Sequence, residues 1–208
     1  VGDARRFNAQ GAVPTNATTR DVLRRSSEND WRHGEVIHLL TALAALIHDL
    51  GKASRAFQWR LQGKLVERNQ YRHEWVSLRL FEAFVGTDDD ARWLERLAQG
   101  SETETAWLKA LRADGPGSAS PSPFIGLGHA PLAQAIGWLV VTHHRLPVFH
   151  GQTPEEKPAA GHFQGPLRHH TSAWNEPPSS DDPTVVAPYW QFPQGLPVAH
   201  EAWRERAA

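Results

Sequence analysis

Nine prolines fall between residues 151 and 200, with Gly and Ser around them. Proline removes a backbone donor and clashes with the preceding turn, so long helices cannot run through that stretch. Residues 147–200 therefore read as a proline-rich excursion, part ordered and part mobile, and the regular structure is expected before it. Glu35–Leu50 is the strongest helix pattern, with Leu39, Leu40, Leu43, Ala44, Leu46 and Ile47 apolar on nearly every side. A helix apolar all round is a buried one, so this segment is expected to be the central core helix. Gly51 follows it and suits a C′ position with positive φ, which places His48-Asp49 in the last helical turn.

Further helices are expected at Ser54–Leu61, at Tyr71–Val85 closed by Gly86, at Asp88–Ala98 and at Thr103–Arg112. A Gly/Ser/Pro loop follows at Asp114–Pro123. Pro131 opens another helix, as proline favours the first helical position, and this one runs to His144. A last helix is expected near Val198–Arg206. Residues 1–30 are polar and read as an irregular arm, with one helical turn at Asp21–Arg25. The expectation is an all-α bundle with long Pro/Gly-rich loops, the arm at 1–30 and one domain at 31–208. Trp31, Trp75, Trp107 and Trp138 are expected in the core, where large aromatics dominate.

Composition narrows the chemistry. The chain has 208 residues, 40% hydrophobic, and no Cys. Thiolate metal sites, disulfides and a Cys nucleophile are excluded. Any metal must be held by the 12 His and the carboxylates. No uninterrupted apolar run reaches the ~18 residues of a membrane span, and the start lacks a signal-peptide core. A soluble, cytoplasmic protein without a membrane partner is expected. There is no Met, so Val1 is expected to lie inside a longer polypeptide. The formal net charge is −1, whereas a stand-alone nucleic-acid binder is usually basic. A neighbouring domain would have to deliver any strand. No GxxxxGK[ST] loop and no G-x-S-x-G elbow occurs.

The candidate chemistry lies in His48-Asp49, His73 and His143-His144. Either dipeptide is expected by chance roughly once in such a chain, and a second His-His, His169-His170, is read as incidental. Placement raises the signal, since all five fall on expected helices. An imidazole and a carboxylate are costly to bury without partners. A metal ion would use both; a His–Asp hydrogen bond inside a core would satisfy them equally. Adjacent helical residues diverge by about 100°, so His48 and Asp49 could serve two ions, as could His143 and His144. Paired ions suit in-line displacement at phosphorus. His and carboxylate donors suit Fe, Mn, Co, Ni or Zn. Lys52 could offset charge on a phosphate in the transition state, or simply sit by a helix C-terminus.

The word His48-Asp49-Leu50-Gly51-Lys52 resembles the signature of the HD superfamily of metal-dependent phosphohydrolases. The longer words Ala45 to Ala53, Tyr71 to Leu80 and Thr142 to Pro147 resemble the type I-F CRISPR-associated helicase–nucleases, over roughly residues 31–150. The resemblance implies a helical nuclease domain covalently linked to a helicase. It implies recruitment by a crRNA-guided surveillance complex and cleavage of single-stranded DNA by metal-activated water. It further implies one or two divalent ions (Fe, Mn, Co or Ni, with Mg also usable) and a phage-encoded anti-CRISPR inhibitor as a partner. Carried over, His48, Asp49, His73, His143 and His144 are metal ligands, with His48, Asp49 and Lys52 catalytic. Such nucleases also carry an earlier His, for which only His33 and His38 are available, and a later Asp. Asp181 and Asp182 are poor matches for that Asp. His129, His150, His162 and His200 read as loop residues. Two other readings stay open: an HD-type nucleotide phosphohydrolase, and a non-catalytic helical docking module.

Overall fold

In the computed structural model the described residues are 33–100, 104–115, 121–144, 167–172, 179–180 and 182–207. The chain divides into two compact units, Val1–Val36 and Ile37–Ala208. Among the described residues every regular element is helical: α1 (Gly34–Ile47), a 3₁₀ turn at Leu50–Ala53, α2 (Arg55–Leu61), α3 (His73–Val85), α4 (Asp90–Gln99), α5 (Glu104–Ala110), α6 (Pro123–Gly126), α7 (Pro131–Thr142), α8 (Pro183–Val186) and α9 (Glu201–Ala207), with further short 3₁₀ turns. The all-α expectation holds.

The expected central helix is the wrong one. In α1 only Ala44 and Ile47 are buried, while Ile37 and Leu39 are about half exposed, at 46% and 56%. Apolar composition marks what a helix can bury, not what it does bury. The centre is α3, where eleven of thirteen residues are buried. Its polar residues disguise this, because they find partners inside. Arg79, 1% exposed, bonds both oxygens of Asp114 and one oxygen of Glu82. Trp75 Nε1 donates to the same Asp114 at 2.6 Å. Gly86 closes α3 with φ of 60°, as expected.

Gly51 does not have positive φ. It is required for a different reason: a Cβ there would lie 2.1 Å from the His73 carbonyl oxygen. The 3₁₀ turn therefore rests directly on the start of α3. Buried Ser77 ties the two together. Its hydroxyl accepts from Gly51 N at 2.8 Å and lies 2.7 Å from the His48 carbonyl and 2.9 Å from the His73 carbonyl, its one proton serving either. At the far side, Asp90 on α4 accepts from Leu132 N and Ala133 N and so caps α7.

The proline-rich third contributes more than an excursion. Residues 145–166 and 173–178 are outside the described ones. Of the rest, Leu167, Val186, Tyr189, Leu196 and Val198 are core residues. Tyr189 OH accepts from Gln70 N at 3.0 Å, and Gln70 Oε1 accepts from Ser179 N and Ser180 N. These contacts brace the loop that leads into His73. Trp203 on α9 donates to the Leu46 carbonyl at the end of α1. His170 is buried among Trp75, Phe124 and Trp138, so its role is core packing. Trp75 and Trp107 are buried, Trp138 is partly so, and Trp31 lies outside the described residues. α1 is 14 residues long, about 21 Å. That is short of the ~30 Å hydrocarbon span, although Gly34–Ala53 taken together is long and apolar enough by composition.

Candidate metal centre

The site is built from helix ends: the expected last turns fall just past α1 and α7 instead of inside them. His48 and Asp49 form the turn after α1, His73 is the first residue of α3, and His143 and His144 follow the end of α7. Helix C-termini carry negative partial charge, so two of the three ends favour a cation.

The five residues come together. The His48 and His143 rings are 4.8 Å apart, His73 and His143 5.6 Å, His73 and His144 5.1 Å, and His143 and His144 4.0 Å. Two groups of ligand atoms form: His73, His143 and His144, and His48, Asp49 and His143. Within each, all atoms lie within 4.8 Å of one another. His48 Nε2 is 3.2 Å from Asp49 Oδ2, and His73 Nε2 is 3.3 Å from Asp49 Oδ1. Lys52 Nζ bonds Asp49 Oδ2 at 2.7 Å. Asp49 Oδ1 and His73 Nε2 are buried without a hydrogen-bond partner. Two facing orphans of this kind are what a metal ion would satisfy, so the residues fit the ion.

Electrostatics agree with ligand roles. Burial works to raise the Asp49 pKa, but the Lys52 hydrogen bond and the charges of His48 and Lys52 outweigh it and hold the carboxylate below its usual range. Burial pushes His73 down to about 4, against the pull of Glu74 and Asp49. Burial also lowers His143, opposed by its bond to the Val140 carbonyl and aided by His144 and His48. Neutral imidazole and ionised carboxylate are the ligating forms.

The other candidates stay outside. His38 is exposed on α1 and His33 is exposed before it; among the described residues neither joins a ligand group. Asp182 spends its carboxylate on Thr184 N and Oγ1, and Asp181 lies outside the described residues. His129 and His200 are exposed; His150 and His162 are also outside. Two residues that sequence reasoning passed over matter here: Ser77 and Glu74. Glu74 is fully buried, with Oε2 3.2 Å from His73 Nδ1 and Oε1 held by Arg72. The signal available was a carboxylate beside a candidate ligand.

The family model described as Cas3, HD domain, matches residues 9–201. The chain belongs to the Cas3 HD-domain family. It is 52% identical over 211 residues to the CRISPR-associated nuclease/helicase Cas3 subtype I-F/YPEST of Pseudomonas aeruginosa. It is 48% identical over 216 residues to the protein of the same name from Pectobacterium atrosepticum. Each alignment covers 100% of this chain and 19% of the relative, so the chain spans about a fifth of the length of these curated relatives. In this Cas3 HD domain His48, Asp49, His73, His143 and His144 lie in one cluster.

Proposed function

We propose that this domain is a metal-dependent nuclease that cuts single-stranded DNA, with His48, Asp49, His73, His143 and His144 as the metal ligands. The observation that carries this reading is the pair of ligand groups meeting at His143, with Asp49 Oδ1 and His73 Nε2 left without hydrogen bonds between them. One or two divalent ions (Fe, Mn, Co, Ni or Mg) would lower the pKa of water and offset phosphate charge. Asp49 stays ionised to hold them, and burial favours the neutral form of His73 and His143. Lys52 has its ammonium at the rim of the cluster, 39% exposed, where it can meet a phosphate oxygen of the strand. His143 and His144 are exposed. An open face of this kind suits a polymer better than a mononucleotide, which favours the nuclease over a nucleotide phosphohydrolase.

The names of the relatives support a covalently linked helicase and a CRISPR-associated role for the longer protein; a cytoplasmic location, a crRNA-guided surveillance complex and a phage-encoded inhibitor are proposed with it on the resemblance alone. The helicase would deliver the strand to a domain whose own charge is near neutral. The test is cleavage of single-stranded DNA by the purified protein with Mn, Fe, Co or Ni. Asp49→Ala and His73→Ala are expected to abolish it, with metal content measured in parallel. Normal cutting by the Asp49 variant would reject the mechanism, and turnover of free nucleotides without DNA cutting would favour the phosphohydrolase.

A further inference from the structure

Two imidazoles of the cluster share one arrangement. Nδ1 of His48 is 2.8 Å from the Ala45 carbonyl, and Nδ1 of His143 is 2.7 Å from the Val140 carbonyl. A carbonyl oxygen only accepts, so in the neutral rings both Nδ1 atoms carry the proton and both Nε2 atoms keep their lone pair. For His73 no carbonyl sets the tautomer. It stands between two carboxylates, Glu74 Oε2 at 3.2 Å from Nδ1 and Asp49 Oδ1 at 3.3 Å from Nε2, and neither approach closes as a hydrogen bond. A neutral imidazole has one ring proton and can give it to only one of them.

The two carboxylates are not equal competitors. Glu74 is 0% exposed, and its other oxygen is held by the Arg72 guanidinium. The Asp49 side chain is 39% exposed, and its Oδ2 is shared between Lys52 and His48. Attraction grows as the local dielectric falls, so the buried carboxylate binds the ring proton more strongly. We infer that Glu74 is a positioning residue: its carboxylate fixes His73 in the Nδ1–H tautomer and aims the Nε2 lone pair at the centre formed with Asp49 and His143. Glu74 touches no reacting atom, and Arg72 balances its charge. The inference rests on the metal-centre reading above. A carboxylate behind a metal-ligating imidazole is typically worth about 10–100-fold in metal affinity.

Ring ¹⁵N NMR of His73 in the metal-free wild-type chain decides the tautomer directly. The expected result is a proton on Nδ1 and a bare Nε2; a proton on Nε2 overturns the inference, and this measurement needs no variant to fold. Mn²⁺ affinity, measured by calorimetry beside melting temperature, supplies the second readout. Glu74→Ala is expected to bind about 10–100-fold more weakly. Glu74→Gln, whose amide oxygen can still accept from Nδ1, is expected to recover part of that loss. A folded Glu74→Ala with wild-type affinity also overturns the inference. Failure of the wild type to bind Mn²⁺ would overturn the metal-centre reading itself, a result distinct from Mn²⁺ binding with the proton on Nε2.

Discussion

α3 carries two ionic clusters that resemble each other in composition and differ in how completely they close. In its middle, Arg79 is matched by Asp114 and Glu82, with Trp75 and the Pro121 carbonyl completing the set. At its start, His73 faces Asp49 at 3.3 Å, yet neither facing atom is hydrogen-bonded. The first cluster spends its polar groups on one another and holds the loop at residues 111–115 against the core. The second keeps donor capacity in reserve. A buried polar group left unmatched is a cost that folding alone does not explain; the metal-ligand role proposed above would account for it.

The contrast breaks first if the middle cluster proves dispensable. Arg79→Ala strands two carboxylates in the interior and is expected to cost about 3–5 kcal/mol, read from denaturant melts. A near-native stability would mean that the two clusters are alike after all. At the helix start the opposite is expected. Asp49→Ala should leave the metal-free melting temperature nearly unchanged and remove the stabilisation that metal brings. At a 100-fold excess over Kd that stabilisation is about 2.7 kcal/mol in the wild type, and chelation should reverse it.

Two buried histidines sharpen the comparison. Burial lowers both His170 and His73 to about 4 from 6.5. Between those values the unfolded chain binds protons that the folded chain refuses. Stability is therefore full above about pH 6.5 and falls as the pH drops toward 4, by up to about 3 kcal/mol for His170. His170→Phe should flatten that slope with or without Mn²⁺, whereas metal should carry what remains on below pH 4, because it excludes the proton from His73 there too. The smallest effect belongs to the joint between site and core. Ser77→Ala is expected to cost about 1–2 kcal/mol and to weaken Mn²⁺ binding, since the dyad turn loses its tie to α3.

Much of this was legible in the residues. The three words ending or starting helices brought the five candidate ligands to notice. Burial was less legible. α1 reads as the most apolar segment and is largely open, whereas Glu74, Ser77, Arg79 and Glu82 give α3 a polar look that only their internal partners explain. A one-dimensional pattern records side-chain character but not pairing across 26 to 35 positions, such as Gly51 with Ser77 or Arg79 with Asp114. The same limit hid the reason for Gly51, which is crowding by a carbonyl from another element rather than its own φ.

His143 belongs to both ligand groups, yet its Nδ1 is already committed to the Val140 carbonyl. That leaves one electron pair for two claimants. Two ions could not both take His143: if two were bound, one would have to complete its coordination from outside these five side chains.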